Sequence, residues 1–298
     1  MALSFNDLGN AGRLGNQMFQ YAALRGIAAN RGLDWMIPPE GADRADNYGL
    51  FEGFKLTNCK EKNQGEQFTR KRVSWREFHF NEDLYNKIED GTDLDGYLQT
   101  EKYFLNIADE IRQDFEFKDE WKEPCVEFMD SLDNKDLVFL HIRRGNPSLQ
   151  GVRGERWSYQ LLQHTHPLMK KEYYINALKE FPEDQQVMVF SDVIDWCKEQ
   201  PWLQGDRFMF SDNSKMLFGD GASVPYVDLC LMTMCKGAII ANSSLSWWGA
   251  WLQNGAGKVV CPTPWFGPAV SHYDMSDLIP EGWVELYNDP REIAPGEC

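Results

Sequence analysis

The sequence predicts an α/β protein whose second half folds as a doubly wound parallel sheet. From residue 137 onward, apolar segments of strand length alternate with helical segments, which is typical of parallel sheets. Leu137–Ile142 is a near-continuous apolar run, as expected for a strand covered on both faces. Polar side chains follow several of these runs, at the strand ends where open α/β sheets bind ligands.

The first half, residues 1–135, is predicted to form a separate domain with fewer regular elements. Residues 40–95 are polar and rich in Gly, Asp and Asn, so loops and short elements are expected there. The elements predicted around that region are strands at Leu3–Asn6 and Trp35–Ile37, and helices at Leu14–Ala29, Ala108–Phe117 and Pro124–Leu132. A turn at Asn134–Asp136 is the expected domain boundary.

Residues 136–298 are predicted to form the second domain. Its expected strands are Leu137–Ile142, Gln186–Phe190, Arg207–Phe210, Ala238–Ala241 and Val259–Cys261. Its expected helices are Lys170–Phe181, Val193–Glu199, Pro225–Cys235 and Leu245–Gln253. This alternation is the pattern of a Rossmann-like domain.

Charge and composition exclude several classes of function. The 298-residue chain has a net charge of −16, which argues against nucleic-acid partners and attraction to anionic membranes. There is no apolar run long enough to cross a bilayer and no signal-peptide pattern, so we expect no stable membrane insertion. Seven scattered cysteines without a Cys-x-x-Cys pair favour a reduced, cytoplasmic location. His164 and His166 lack further ligands nearby, and no metal site is predicted.

Two strand ends carry side chains that suit a phosphate. His141, Arg143 and Arg144 fall at the end of Leu137–Ile142, and guanidinium groups bind phosphate oxygens through two parallel hydrogen bonds. Asn242, Ser243 and Ser244 precede a predicted helix, whose N-terminus attracts anions. The alternatives are surface ion pairs for the arginines and an ordinary helix cap for the second group.

A glycine-bearing turn precedes the first predicted helix. Gly9, Gly12 and Gly15 give G-x-x-G-x-x-G, which differs by one position from the dinucleotide fingerprint G-x-G-x-x-G. An NAD- or FAD-dependent oxidoreductase is therefore an alternative. The Asn16 amide in the first helical turn suits a hydrogen bond to a ligand better than close apolar packing of helix on strand. This disfavours the dinucleotide interpretation.

Several segments in order resemble the α-1,2-fucosyltransferases of glycosyltransferase family 11. The resembling segments are Gly12–Ala22, Gly96–Phe104, His141–Gly145, Phe190–Asp192 with Asp195 and Trp196, Asp228–Met232 and Asn242–Leu252. The resemblance implies a GT-B-like fold of two Rossmann-like domains facing a cleft, with residues 1–135 on the acceptor side and residues 136–298 binding the GDP-sugar.

The resemblance also implies an activity and roles for particular residues. We expect a galactoside α-1,2-fucosyltransferase that moves L-fucose from GDP-fucose to the 2-hydroxyl of a terminal galactoside, inverting the anomeric centre without metal or cofactor. His141 and Asp228 would read guanine, Arg143 would contact the β-phosphate, and Ser243 and Ser244 would hold the phosphates.

Further donor contacts are expected from Asn16, Arg144, Asn242 and Leu245. The catalytic residues are expected to be Arg143 together with a base, for which Glu155 and Asp192 are candidates.

The resemblance has one departure, at the end of the His141–Gly145 signature. The family pattern has an aspartate where this chain has Asn146, and an amide cannot take a proton from the acceptor. A non-catalytic GDP-sugar or glycan-binding protein is therefore an alternative, as is a transferase for another GDP-sugar or linkage. A soluble enzyme encoded by a bacterium or a virus is expected.

Overall fold

The computed structural model describes residues 2–45, 48–56, 71–134, 136–145, 162–211, 224–253 and 257–292. The chain is an α/β protein in which every pair of neighbouring strands in the described sheets is parallel. It divides into two compact units. The first unit comprises residues Met1–Lys118 and Tyr273–Glu281, and the second comprises Asp119–His272 and Gly282–Cys298.

A four-stranded sheet with the order β2-β1-β4-β3 organises the first unit. Its strands are β1 (Leu3–Ser4), β2 (Trp35–Met36), β3 (Lys71–Trp75) and β4 (Thr92–Gly96). Its helices are α1 (Leu14–Arg31), α2 (Leu50–Gly53), α3 (Glu82–Lys87) and α4 (Ala108–Asp114), with 3₁₀ turns at Glu101–Tyr103 and Leu105–Ile107. Helix α1 ends at Gly32, whose φ of 63° supplies the left-handed cap that glycine adopts readily.

The segment Tyr273–Glu281 returns to the first unit late in the chain. A carboxylate oxygen of Asp277 accepts a hydrogen bond of 2.8 Å from the backbone N–H of Phe80, and the other pairs with Lys102. The ring of Tyr273 lies edge-on to Phe78, with centroids 5.6 Å apart. These contacts explain why the first unit includes residues far from it in sequence.

A six-stranded sheet with the order β10-β9-β8-β5-β6-β7 organises the second unit. Its strands are β5 (Leu137–Ile142), β6 (Gln186–Ser191), β7 (Phe208–Phe210), β8 (Gly237–Ile239), β9 (Val259–Thr263) and β10 (Val284–Tyr287). Its helices are α5 (Asp119–Ser131), α6 (Lys171–Leu178), α7 (Ile194–Lys198), α8 (Pro225–Met234) and α9 (Ser244–Trp251), with 3₁₀ turns at Pro201–Leu203 and Pro268–Val270.

The strand order places the helices of the second unit on two faces of the sheet. The chain runs from β5 through β6 to β7 in one direction and then returns to β8 on the other side of β5. Because such crossovers are right-handed, α6 and α7 cover one face, and α8 and α9 cover the other. The switch in direction falls between β5 and β8, which is where doubly wound sheets open a ligand crevice.

Packing on each face follows the alternation of side chains along β5. Val138, Leu140 and Ile142 belong to a buried cluster with residues of α6 and α7, including Tyr174 and Cys197. Phe139 points to the opposite face, where its ring lies 6.2 Å from that of Phe190. Helices α8 and α9 pack closely on that side. A Cβ added to Gly249 of α9 would lie 2.9 Å from the Cβ of Met232 in α8, so glycine permits this approach.

The two units divide at a different place from the predicted boundary at residues 135 and 136. Helix α5 belongs to the second unit because it packs on α8. The ring of Trp121 lies 5.5 Å from that of Tyr226, and the Sγ of Cys125 lies 3.8 Å from the carbonyl oxygen of Val227. Helix α5 also begins at Asp119, before the predicted start at Pro124, so the proline lies inside the helix.

The α/β fold class and the parallel sheet of the second unit are confirmed. All five strands predicted there are present, although their ends differ by one or two residues, and β10 was missed. Helix α1 is confirmed over the predicted region. Strands β3 and β4 lie within residues 40–95, where the sequence predicted only loops and short elements.

Candidate functional site

The carboxyl ends of β5 and β8 bring two predicted groups to one edge of the sheet. Leu140 of β5 is level with Ile239 of β8 in the strand pairing. Both strands end shortly beyond this pair, so the residues after Ile142 and after Ala241 emerge at the same edge. This edge coincides with the switch point between the two directions of the sheet.

His141 is buried at the end of β5 and uncharged at neutral pH. Its Nδ1 has no hydrogen-bond partner among the residues that the structure describes. Burial lowers the pKa of His141 to about 4, opposed by the Asp192 carboxylate and reinforced by the Arg143 guanidinium. By strand alternation His141 shares the face of Phe139, the side that α8 and α9 cover.

Arg143 is held in a charged arrangement with Asp192, which follows β6. Nη1 of Arg143 lies 2.7 Å from Oδ2 of Asp192, and both side chains are largely buried. Asp192 also accepts hydrogen bonds from two backbone N–H groups, that of Arg144 at 3.0 Å and that of Gly145 at 2.7 Å. The carboxylate therefore fixes both the turn after β5 and the guanidinium that leaves it.

The two adjacent arginines after β5 have different partners. Arg143 pairs with Asp192. The guanidinium of Arg144 lies over the ring of Trp196 in α7, 4.1 Å from the ring centroid. The predicted contact of Arg144 with a donor stays a prediction.

Asp228 lies in the first turn of α8, where its charge is favoured by the helix dipole. Its Oδ1 accepts a hydrogen bond of 3.2 Å from the hydroxyl of Ser211. Ser211 follows β7 directly and is buried, and its backbone N–H donates to Val189 of the neighbouring strand. The sequence analysis missed Ser211. A small hydroxyl residue at a strand end was the available signal.

Ser243, Ser244 and Leu245 form the start of α9, directly after β8. Ser243 is the N-cap residue in extended conformation, and its side chain makes no capping hydrogen bond. The first N–H groups of a helix have no partner within the helix, so this end carries donors and partial positive charge. Trp247 and Trp248 in the following turn are fully buried and anchor the helix.

Asn242 has a structural position just before this helix. Its Nδ2 donates to the carbonyl oxygens of Pro167, at 3.0 Å, and Trp265, at 3.1 Å. The amide therefore ties two loops to the end of β8. These contacts fix the strand-to-helix turn, and the predicted contact of Asn242 with a donor stays a prediction.

Asn16 is a predicted donor contact that belongs to the first unit. Asn16 is in α1 of the first unit, where its Oδ1 accepts a hydrogen bond of 2.7 Å from Gln99. Its side chain fills the space beside Gly12, whose φ is +85°. Glu155, a candidate base, and Asn146, the departure from the family signature, lie outside the described residues.

Among the described residues, no group of three or more His, Cys, Asp or Glu side chains lies close enough to hold a metal ion. None of the helices described is both long and apolar enough to cross a bilayer.

Comparison with known proteins identifies relatives over most of the chain. Residues 3–286 match the family model described as glycosyl transferase family 11. The chain is 31% identical over 307 residues to an alpha-1,2-colitosyltransferase of Escherichia coli, covering 93% of this chain and 97% of the relative. It is 26% identical over 256 residues to galactoside alpha-(1,2)-fucosyltransferase 1 of Pan troglodytes, covering 82% of this chain and 64% of the relative.

The fold is similar to that of solved fucosyltransferases. The crystal structure of NodZ from Bradyrhizobium superposes with a TM-score of 0.53 and 11% identity, covering 87% of this chain and 94% of that one. A structure described as NodZ alpha-1,6-fucosyltransferase soaked with GDP-fucose gives a TM-score of 0.52, 12% identity and the same coverage. These likenesses agree with the expected GT-B-like fold class.

Proposed function

The chain belongs to glycosyl transferase family 11, and from that premise we propose that it transfers L-fucose from GDP-fucose to the 2-hydroxyl of a terminal galactoside. We propose an inverting reaction that requires no metal. Two observations on relatives support the proposed linkage and donor. The curated relatives described above carry names of alpha-1,2-linked transferases, and a protein of similar fold was soaked with GDP-fucose.

The position of Arg143 is the observation that carries the proposal. Asp192 holds its guanidinium at the switch point of the sheet, at the edge where Ser243 and Ser244 begin α9. Cleavage of the sugar–phosphate bond leaves negative charge on GDP and positive character on the sugar ring. A fixed guanidinium and the N–H groups of a helix start stabilise that leaving group more strongly than the intact donor, and this difference accelerates the reaction.

The nucleobase is assigned to His141 and Asp228. The Asp228 carboxylate accepts from Ser211 through Oδ1, and a carboxylate offers further lone pairs for the N–H donors of a guanine edge. His141 is neutral at pH 7, so one of its ring nitrogens accepts while the other donates. We propose that Leu245 supplies backbone contact near the phosphates and that Asn242 acts by holding the turn.

The contacts of Asp192 favour positioning over proton transfer. Its two oxygens already meet a guanidinium and two backbone N–H groups. These three donors engage both carboxylate oxygens and hold the side chain in place. We therefore propose Asp192 as the residue that orients Arg143, and Glu155 as the candidate base.

Calorimetry with GDP tests the binding site directly. The full chain is expected to bind GDP in the presence of EDTA, and Arg143→Ala is expected to weaken binding at least 30-fold, about 2 kcal/mol, since a charge-assisted contact to phosphate is lost. Arg112→Ala, which removes an exposed arginine of α4, is the matched control and should leave the affinity unchanged. Equal GDP affinity of the wild type and Arg143→Ala would refute the assignment.

A second candidate donor comes from the colitosyltransferase relative, at 31% identity. Parallel assays with GDP-fucose and GDP-colitose, a lactose-type acceptor and product NMR would identify the donor and the linkage. Fucose linked α-1,2 to galactose is the expected product. GDP binding without turnover of either donor would favour the non-catalytic alternative that Asn146 raises.

A further inference from the structure

Arg144 is a buried arginine that the proposed transfer reaction does not use. The residue is only 7% exposed, and its guanidinium is stacked on Trp196. Its backbone N–H donates to Asp192, but among the described residues its guanidinium has no hydrogen bond and no ion pair. A guanidinium carries five N–H donors, and those of Arg144 stay accessible at the cavity that this residue lines. The side chain is therefore placed to receive a ligand.

Arg144 lines a cavity of the second unit on the α6 and α7 side of the sheet. The cavity has a volume of about 290 Å³, which is near the lower end for a small-molecule site. Lys170, Lys171, Trp202 and Glu292 also line it. Among the described residues that line this cavity there is no His141, Arg143, Asp228, Ser243 or Ser244, so its walls differ from those proposed for the donor.

The start of α6 contributes to the electrostatics of the cavity. Lys170 is the N-cap residue of this eight-residue helix, and its side chain makes no capping hydrogen bond. The free N–H groups at the start of a helix give this end a partial positive charge. The lysines at this end have carboxylate neighbours. Lys170 Nζ lies 2.9 Å from Asp289, and Lys171 Nζ lies 3.9 Å from Glu172. Glu292 adds a further negative charge. Among the described residues of the cavity wall, the Arg144 guanidinium is the cation without a carboxylate partner.

The remaining walls offer flat aromatic surfaces. The rings of Tyr174 and Trp202 are stacked, with centroids 5.7 Å apart and planes inclined by 13°. Trp196 lies beneath the Arg144 guanidinium. An anionic group at Arg144 would thus be flanked by surfaces that pack against the face of a small ring.

We propose that this cavity is a second ligand site, which binds a sugar carrying one carboxylate or phosphate group through the Arg144 guanidinium. The Trp202 ring would pack against the sugar. Carboxylate and phosphate both match the planar fork of a guanidinium, so the shared chemistry of the ligand is an anionic monosaccharide.

Titration of the full chain with four probes tests the proposal. Glucuronate and glucose 1-phosphate are the anionic sugars, glucose is the neutral sugar, and inorganic phosphate is the anion alone. We expect at least one anionic sugar to bind at least tenfold more tightly than glucose and more tightly than inorganic phosphate. The tighter of the two identifies carboxylate or phosphate as the preferred group. No binding of either below 10 mM, or equal binding of glucose, would refute the proposal.

Variants locate the site. Arg144→Met keeps an apolar chain over Trp196 and should lower the affinity for the anionic sugar at least tenfold, while GDP affinity changes less than twofold. Trp202→Ala alters another wall without touching Arg144 and should lower the affinity at least threefold, which keeps the test valid if Arg144→Met fails to fold. Lys198→Gln, which removes a cation of α7 paired with Asp195, is the charge-matched control.

Two results would overturn the assignment of this cavity. Unchanged anionic-sugar binding in a folded Arg144→Met or in Trp202→Ala would place the ligand elsewhere. A parallel loss of GDP affinity in Arg144→Met would place Arg144 in the donor site. Neither result depends on transferase activity, so the outcome is separable from that of the proposed function.

Discussion

Asp192 shows how one side chain can hold several parts of a candidate site together. Its carboxylate joins the end of β6 to the turn after β5 and to the guanidinium of Arg143. Asp192→Asn keeps the shape but replaces one acceptor oxygen by a donor. We expect GDP affinity to fall about tenfold and kcat/KM about 10- to 100-fold, roughly 1.4–2.7 kcal/mol. Calorimetry and initial rates measure both.

The pH–rate profile separates the two roles of Asp192. If Asp192 only orients Arg143, the acid limb of the profile persists in Asp192→Asn, since the group that titrates is still present. Loss of that limb would instead identify Asp192 as the base. Asp195→Asn, an exposed neighbour in α7 that pairs with Lys198, should behave as the wild type.

The burial of His141 predicts how stability depends on pH. Its pKa is about 4 in the folded chain, below the value near 6.5 of an unfolded chain. Between these values the unfolded state binds a proton that the folded state does not, so stability falls as the pH is lowered from 6.5 toward 4, by up to about 1.4 kcal/mol per pH unit.

Urea unfolding at pH 7 and pH 5 tests this dependence. The decrease in the free energy of unfolding should be smaller in His141→Gln than in the wild type. His166, a half-buried histidine whose pKa is lowered to about 4 mainly by desolvation, provides a second variant in which the decrease should also be smaller. An identical decrease in the wild type and His141→Gln would contradict the assignment.

Among elements, α3 and α9 begin in different ways, and this difference is testable. Asn81 caps α3 by accepting a hydrogen bond of 2.9 Å from the backbone N–H of Leu84, whereas the Ser243 side chain makes no such bond at α9. Asn81→Ala should lower the free energy of unfolding by about 1 kcal/mol, and Ser243→Ala by only a few tenths.

For GDP binding, the larger effect is expected from Ser243→Ala and the smaller from Asn81→Ala. Ser243→Ala is expected to weaken GDP binding several-fold, because the free hydroxyl is proposed to meet a phosphate, while Asn81→Ala should bind GDP normally. Urea unfolding and calorimetry on both variants measure the two effects. A stability loss of 1 kcal/mol in Ser243→Ala with unchanged GDP affinity would show that the hydroxyl serves only the helix.

Local patterns predicted the elements whose stability depends on apolar burial. Strand β5 is buried along its whole length, and its apolar run is visible in the sequence. Strand β3 is a charged and exposed segment that is held as a strand by its pairing with β4. Ser74 donates to Asp95 at 2.7 Å, and Arg72 pairs with Asp95 at 3.2 Å. Such long-range polar pairs are not visible in a local pattern.

The candidate site, like the fold, was predictable from local patterns only in part. Strand ends and a helix start pointed to His141, Arg143 and Ser243, because those positions follow from the order of strands and helices. The stacking of Arg144 on Trp196 depends on a residue of another element, and no local pattern indicates it. The role of Asn242 as a tie between two loops depends on distant residues, and no local pattern indicates it.

At the scale of the whole molecule, Asp277 is predicted to stabilise the first unit although it lies late in the chain. Asp277→Ala removes the acceptor for the Phe80 N–H group and the partner of Lys102. We expect a loss of about 1–2 kcal/mol, since a partly buried donor is left unsatisfied. Asp274→Ala, at a more exposed carboxylate of the same segment, is the control and should cost less.

Hydrogen exchange shows where the loss occurs. Amides of β3 and α3 should exchange faster in Asp277→Ala, while those of β5 and β6 in the second unit keep their protection. Uniformly faster exchange in both units would mean that the segment Tyr273–Glu281 stabilises the chain as one cooperative body.

The late return of Tyr273–Glu281 also has a consequence during synthesis. A ribosome releases the chain from its N-terminus, and domains generally fold as they emerge. Here the first unit receives its last segment only when residue 281 has been made. Nascent chains arrested before this point carry an N-terminal unit with an uncovered surface, which chaperones are expected to bind until that segment has been made.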